Sequence, residues 1–472
     1  MPSEPPGAKT TLSSESHALD LDTIAAVATP AGRGGVSIIR VSGPEAWPIA
    51  ERLTQKTLLP RKPVLCAFRG ADDAVIDEGL TLMFRGPASF TGEDIAEFHG
   101  HGGVIITNVL LEACLTFGAR LARPGEFSER AFLNNKLDLA QAEGLADLID
   151  APTEQAARQA SASLRGAFSA AVNTLTTQLI ELRVFVEAAI DFPEEEVDFL
   201  SEGNVVSSLK AAHNKLSEVL HQAKQGAVMS RGAQIVMTGA PNAGKSSLVN
   251  QLAQDAVAIV TDIPGTTRDV IRQSIEVEGV AIQLSDTAGI RDATNAIEQE
   301  GINRAHAEIE HADIVIEVID DHTSGAPIDT PIPHHSVIRV LNKIDLTSRP
   351  PGIVSEQAGV SEHDSTRLRT TVAISATTGH GIEALKQSIL QNLGLGDCAS
   401  ATPFSARERH VTCLKQAALA LEHAIARFEA HHAGELLAED LRVVHAHLGA
   451  ITGAFSSDDL LGEIFSSFCI GK

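Results

Sequence analysis

Gly239-Ala240-Pro241-Asn242-Ala243-Gly244-Lys245-Ser246 places two glycines, a lysine and a hydroxyl at the spacing of a phosphate-cradling loop. In such a loop backbone N–H groups wrap the α- and β-phosphates, the lysine reaches the β/γ oxygens, and the hydroxyl ligates Mg2+. Lys245 and Ser246 take those two parts, with Ser247 beside them. Downstream stands Asn342-Lys343-Ile344-Asp345. A carboxylate such as Asp345 accepts hydrogen bonds from both the ring N–H and the exocyclic amine of guanine. Adenine offers neither donor on that edge, and unpaired polar groups discriminate strongly. Phosphate loop and carboxylate together point to GTP.

A phosphate loop needs a strand before it and a helix after it. Gln234 to Thr238 reads as that strand and Ser247 to Leu252 as that helix. Val337 to Leu341 reads as a second strand, which delivers Asn342 to the carboxyl edge of a sheet, where open α/β sheets bind ligands. Ser375-Ala376-Thr377, after the apolar Val372 to Ile374, reads as the last base-contacting loop. Between these lie switch elements: Gly265-Thr266-Thr267-Arg268-Asp269 before a strand, and Asp286-Thr287-Ala288-Gly289 at the end of one. Ile275, Val277, Ile282 and Leu284 alternate around a turn at Glu278-Gly279, as in an antiparallel hairpin. Thr267 is the candidate second Mg2+ hydroxyl, Asp286 the outer-sphere carboxylate, and Gly289 the amide that senses the γ-phosphate.

Many GTPases follow that glycine with a Gln that orients the attacking water, but this chain has Ile290, which neither donates nor accepts. Glu298, on the stretch Ala296 to Ala305 that reads as a switch helix, is the candidate catalytic residue for the water; a solvated helix carboxylate is the other reading. Asn242 also carries two readings. It can stabilise the turn, or its carbonyl oxygen can serve a monovalent cation that supplies the charge an arginine finger supplies elsewhere.

The net charge of −24 in 472 residues runs against a protein that grips a polyanion alone. Five scattered cysteines, Cys66, Cys114, Cys398, Cys413 and Cys469, form no Cys-x-x-Cys pair, which suits a reducing cytosol and a cytoplasmic protein. No apolar run approaches the roughly 18 residues of a membrane span. His99 and His101 flank a single glycine, a pattern better explained by a turn than by a metal pair without further ligands.

The pattern changes divide the chain. Residues 1–21 are Pro/Ser-rich and read as a disordered tail. Residues 22–135 mix short strands, Gly/Pro turns and at least one helix, an α+β domain. Over 136–230 the period is helical: Leu164, Phe168, Ala171, Leu175, Leu179, Leu182, Val186 and Ala189 predict one long amphipathic helix, and Val206, Leu209, Leu216 and Leu220 another. The α/β pattern of the GTPase domain occupies 231–395. Helical spacing resumes at Leu414, Ala418, Leu421, Ile425 and Phe428, giving a second helical part over 396–472. The fold class expected is multidomain α/β, a P-loop GTPase domain inserted in an α-helical domain and preceded by the α+β domain. An inserted domain must have its two ends close together.

Over residues 22–472 the chain resembles the MnmE (TrmE) family of tRNA-modification GTPases. The matching runs include Ala28-Thr-Pro-Ala-Gly-Arg-Gly-Gly35, Phe90-Thr-Gly-Glu-Asp94, His99-Gly-His-Gly-Gly103, Arg123-Pro-Gly-Glu-Phe-Ser-Glu-Arg130, Asn135-Lys-Leu-Asp-Leu-Ala-Gln-Ala-Glu143 and the terminal Phe468-Cys469-Ile470-Gly471-Lys472. Several lie outside the GTPase domain, so the likeness is to this family rather than to GTPases in general. It implies a homodimer, formed through an N-terminal folate-binding and dimerisation domain. It also implies a flavoprotein partner, MnmG, in a heterotetramer, with FAD only on that partner. Together they install aminomethyl or carboxymethylaminomethyl groups at carbon 5 of the wobble uridine of certain tRNAs. The one-carbon unit comes from a tetrahydrofolate, 5-formyl or methylene, and GTP hydrolysis gates the reaction.

The same resemblance implies K+ against the phosphates, held by Asn242, Thr261, Ile263 and Thr266, with Asp262, Pro264 and Gly265 in the same nucleotide-binding loop. Glu298 then organises water when two GTPase domains face each other. Folate contacts are implied at Arg40, Glu97, Lys136 and Lys472, and a role near the folate at Cys469. From the residues alone, Arg40 ends an apolar strand, Val36 to Ile39, and Glu97 precedes a Gly-rich turn, so each reads as a surface ion-pair member. With −24 net charge, tRNA is expected to be held mainly through the complex. Two rivals remain: a ribosome-assembly GTPase, against which stands the lack of a basic Gly-x-x-Gly module or a second phosphate loop, and a non-catalytic GTP-dependent interaction switch.

Overall fold

The computed structural model describes residues 22–191, 205–254, 272–286, 308–323, 336–358, 368–396, 403–454, 458–469 and 471. They fall into two compact units, Met1–Asp138 with Ser456–Lys472, and Leu139–Phe455.

In the first unit the chain runs β1 (Ile24–Val27), β2 (Ser37–Ser42), α1 (Ala46–Thr54), β3 (Val64–Arg69), β4 (Val75–Phe84), β5 (Ile95–Gly100), α2 (Val104–Thr116), β6 (Arg120–Leu121) and α3 (Glu126–Leu133). The strands form one sheet in the order β3-β4-β5-β2-β1-β6. Strand residues alternate between faces. One set, with Ile39, Val41, Phe68 and Phe98, joins Ile49, Leu53 and Leu110 of α1 and α2 in a buried core. The other set carries Arg40, Glu97 and His99, all partly exposed. Arg40 does not end its strand; it lies within β2, directly opposite Glu97 of β5. The hydrophobic run stopped at Ile39, but the ladder continues because Val41 returns to the buried face.

The helix Asp458–Ser466 belongs to this unit as well. Phe465 and Phe468 are buried, with the Phe465 ring 6.2 Å from that of Phe132 and 5.4 Å from that of Phe468. This terminal segment therefore buries aromatic rings against α3 within the first unit.

The second unit begins with α4 (Leu139–Asp150), α5 (Glu154–Leu164), α6 (Ala167–Asp191) and α7 (Val205–Arg231). Leu164 closes α5 rather than opening the long helix, because Gly166 takes φ 90° and ends the run. An α/β domain follows: β7 (Ala233–Thr238), α8 (Lys245–Gln254), β8 (Arg272–Val277), β9 (Val280–Asp286), β10 (Ile314–Asp320), β11 (Ser336–Asn342), β12 (Gly352–Ala358), β13 (Leu368–Ala373) and α9 (Ile382–Asn392). The chain then returns to helices α10 (Glu408–His431) and α11 (Gly434–Thr452). Leu175, Leu179 and Val186 of α6 meet Leu209 and Leu216 of α7, Leu414 and Leu421 of α10 and Leu441 of α11 in one core. The α10 and α6 spacings put these side chains on single helix faces.

The α/β sheet has the order β12-β13-β11-β10-β7-β9-β8. The five central strands are parallel, and β8 and β12 are antiparallel edges. Parallel strands covered on both faces are buried along nearly their whole length, as Ile314–Asp320 is, its one internal charge Glu317 accepting from Arg339. The Gln225 amide of α7 donates to the Gly394 carbonyl at 2.7 Å, which ties the entry of the domain to its exit. The fold is a P-loop α/β domain set into a helical domain. No described helix is long and apolar enough to cross a membrane.

Candidate functional site

The ends of β7, β9, β11 and β13 bring four motif loops to one edge of the parallel sheet. The loop from Gly239 to Gly244 joins β7 to α8, so its N–H groups lie at a helix N-terminus, where anions are favoured. Both glycines are required by contact. A Cβ at Gly239 would lie 2.2 Å from the Val318 carbonyl, and one at Gly244 would lie 2.2 Å from the Asn342 side-chain nitrogen. Lys245 is 6% exposed, with Nζ donating to the carbonyls of Gly239 at 3.0 Å and Ala240 at 3.2 Å. Its charge is thus held over the mouth of the loop. Asn242 has φ 61°, a conformation that Asn tolerates better than most residues, and it faces solvent beside exposed Ser246 and Ser247.

Asn342 is 2% exposed, and its side chain makes three bonds. Its Nδ2 donates to Ala243 O at 2.9 Å, and its Oδ1 accepts from the N–H of Lys343 at 2.8 Å and of Ala376 at 3.0 Å. One buried amide therefore joins the phosphate loop, its own loop and the Ser375–Thr377 loop. Ser375 is fully buried, and its hydroxyl donates to Asp345 Oδ1 at 2.6 Å, orienting that exposed carboxylate. Ile344 is buried and anchors the short 3-10 turn Ile344–Leu346 on which Asp345 sits. Lys343 has φ 69°, and its Nζ lies 2.6 Å from Asp320 Oδ2.

Asp286 ends β9 beside Met237 of β7, so the second motif starts next to the strand that feeds the phosphate loop. Thr261, Asp262, Ile263, Pro264, Gly265, Thr266, Thr267, Thr287, Ala288, Gly289 and Glu298 lie outside the described residues. The β8–β9 hairpin between the switch motifs turns at Glu278 and Gly279, both with positive φ. The Gly279 carbonyl at its tip accepts from the Thr153 hydroxyl at 2.8 Å, and that hydroxyl also caps α5 by accepting from Ala156 N.

In the first unit Arg40 and Glu97 pair with each other, at 2.9 Å. The guanidinium also lies 5.5 Å from the Phe90 ring centroid and 5.8 Å from that of Phe127. Lys136 Nζ donates to the Pro87 carbonyl at 2.9 Å, and its Cγ would lie 3.4 Å from a Cβ at Gly92. The segment from Pro87 to Gly92, which carries Phe90, thus gathers Arg40, Glu97 and Lys136 into one neighbourhood. Lys472 lies outside the described residues. Gly471 packs on the carbonyl of Val27, in the strand paired with β2, and the carbonyl of exposed Cys469 accepts from Gly125 N at 3.4 Å. His101 pairs with Asp77 and His99 with Glu97, and no metal-holding group of three His, Cys, Asp or Glu occurs among the described residues.

Sequence reading missed the buried charges of the second unit. Glu143 is 1% exposed; Arg409 donates to both its oxygens, and His410 Nε2 lies 2.7 Å from Oε2. Burial opposes the charge on Glu143, yet His410 and Arg409 hold its pKa down to about 2. His410 Nδ1 accepts from Arg407 N at 3.0 Å, so the proton sits on Nε2 and the ring is neutral. Burial lowers the His410 pKa accordingly. A Glu 267 positions from its His gives no local signal.

Comparison with known proteins places both units. Residues 23–136 match the model described as "GTP-binding protein TrmE N-terminus", and residues 139–469 match "MnmE helical domain". The chain is 51% identical over 460 residues to a tRNA modification GTPase MnmE of Chromohalobacter salexigens, covering 96% of this chain and 98% of that one. It is 48% identical over 460 residues to the protein of the same name from Histophilus somni, covering 96% and 99%. A third, from Pseudomonas aeruginosa, is 49% identical over 460 residues, covering 96% and 99%. With its phosphate loop, its guanine-type loop and both family regions in place, the chain belongs to the MnmE (TrmE) family.

Proposed function

We propose that this chain is a GTPase of tRNA modification whose hydrolysis depends on potassium. With a flavoprotein partner of the MnmG type, it adds an aminomethyl or carboxymethylaminomethyl group to carbon 5 of the wobble uridine of certain tRNAs. The observation that carries the nucleotide reading is the bond from buried Asn342 to Ala243, which locks the base loop to the phosphate loop. Asp345, oriented by Ser375, reads the guanine edge, and Lys245 with the loop N–H groups holds the phosphates.

Mg2+ would be held by Ser246 and Thr267 and would neutralise phosphate charge. K+ would be held by Asn242, Thr261, Ile263 and Thr266. The exposed, left-handed placement of Asn242 fits that ligand role, because its side chain faces out of the turn. Glu298 positions the attacking water, a task that Ile290 leaves vacant. At the other site, the paired Arg40 and Glu97 with Lys136 suit a folate, which presents a carboxylate tail to cations and a pterin edge to a carboxylate. Lys472 and Cys469 complete that site. The chain acts as a homodimer in the cytoplasm, and its partner supplies FAD and much of the tRNA grip, in keeping with the net charge of −24.

The test is reconstitution: this chain, the flavoprotein, GTP and methylene-tetrahydrofolate with unmodified tRNA, followed by nucleoside analysis of the wobble position. Modified uridine should form, and should vanish without GTP or with Glu298→Ala. Modification proceeding undiminished in the absence of this chain would overturn the proposal.

A further inference from the structure

Asp320 ends β10, the strand beside the one that leads into the base loop, in register with Asn342, and Asp321 follows it in the turn. Asp321 takes the far side of that loop. Its carboxylate accepts from the Thr347 hydroxyl at 2.6 Å and from Arg349, whose Nη2 lies 2.8 Å away, and its N–H donates to Asn342 O. Asp320 takes the near side, with Oδ2 at 2.6 Å from Lys343 Nζ. Its Oδ1 accepts from His322 N at 3.0 Å, a local turn bond at the strand end.

We propose that Asp320 is a positioning residue for guanine-nucleotide binding, acting through Lys343. It rests on the reading that Lys343 belongs to the base-binding loop, and it names what holds that lysine. Lys343 leaves a left-handed backbone position on a four-carbon stem with several rotatable bonds. Such a stem can lie along an apolar surface with its head in water, but an unfixed stem has rotamer freedom to lose on binding. Asp320 supplies a fixed point, so the lysine is ordered when the nucleotide arrives and less freedom is lost on binding. The pair is partly buried, at 31% and 15% side-chain exposure, so water screens it only in part. The shift of the Asp320 carboxyl below its ordinary range, caused first by Lys343, agrees with a charged pair. Arg349 performs a parallel task on Asp321, but it grips the loop's rear and not the motif itself.

Asp320→Asn isolates the effect, because an amide oxygen can still accept from His322 N while the charge on Lys343 goes uncompensated. Release of a fluorescent GDP, and of a fluorescent nonhydrolysable GTP analogue, is measured for the wild-type chain, Asp320→Asn, Lys343→Ala and the double variant. Asp320→Asn should speed release about fivefold. The factor should be the same for both nucleotides, because the loop meets the base and not the γ-phosphate. On the Lys343→Ala background the same substitution should add less than about twofold. An unchanged release rate for Asp320→Asn would overturn the proposal. So would an equal effect on both backgrounds, since Asp320 would then act without Lys343. If Lys343→Ala alone leaves release unchanged, the assignment of Lys343 to the base loop falls first and the proposal falls with it.

Discussion

The Asn342 side-chain nitrogen donates to the Ala243 carbonyl at 2.9 Å, joining residues 99 apart in sequence. The two loops proposed to meet opposite ends of the nucleotide are thereby joined directly to each other. Asn342→Ala should leave Ala243 O, Lys343 N and Ala376 N without their partner, at a cost of about 2–3 kcal/mol of stability. Nucleotide affinity should drop together with the melting temperature. Calorimetric melting with and without GDP checks both. A variant that melts normally yet loses GDP would show that Asn342 serves the ligand rather than the loops.

Asp345→Asn should exchange the guanine preference for xanthine. An amide in place of the carboxylate donates to the O2 of xanthine but can no longer accept two hydrogen bonds from guanine. The expected outcome is hydrolysis of XTP exceeding that of GTP by at least about tenfold at limiting nucleotide. Unaltered GTP preference in that variant would remove Asp345 from the base site.

The switch hairpin is anchored at its tip by Thr153, which simultaneously caps α5. Thr153→Val keeps the shape and loses both bonds, costing about 1–2 kcal/mol. Hydrogen exchange in Arg272–Asp286 should accelerate, and Thr153→Ser should restore it. Exchange that stays slow in the valine variant would mean the hairpin is held by its sheet alone.

Stability should respond to pH in two windows set by the buried pair. Glu143 has its folded pKa depressed from 4.5 to about 2, so its contribution is complete above 4.5 and is lost as pH falls toward 2. His410 is also lowered from 6.5, but for a base this means that the unfolded chain takes up the proton first. Its share of stability is therefore lost as pH falls below 6.5, by at most about 1.4 kcal/mol per pH unit. Urea titrations of the wild type between pH 8 and 5 should show a slope that His410→Gln flattens. Glu143→Gln should cost about 3–5 kcal/mol at pH 7, as expected when one partner of a buried charged cluster is removed. Equal slopes for wild type and His410→Gln would contradict the neutral, buried ring.

Contiguous motifs made the candidate nucleotide site legible. Gly239 to Ser246 and Asn342 to Asp345 each carry their chemistry within a few residues, and the strands that aim them are mostly apolar and buried. What escaped was pairing across distance. That Arg40 faces Glu97 depends on strand register, which a stretch such as Ser37 to Arg40 does not encode by itself. Asp320 looks like any carboxylate at a strand end until β11 places Lys343 against it. Nor does the sequence by itself show that Phe465 packs its ring on Phe132 and Phe468 within the first unit.

GTP hydrolysis by the purified chain in K+ and in Na+ at equal ionic strength tests the central claim most directly. The account predicts turnover at least about tenfold faster in K+, with that advantage abolished in Asn242→Ala while GDP binding is kept. Equal rates in the two cations would contradict it.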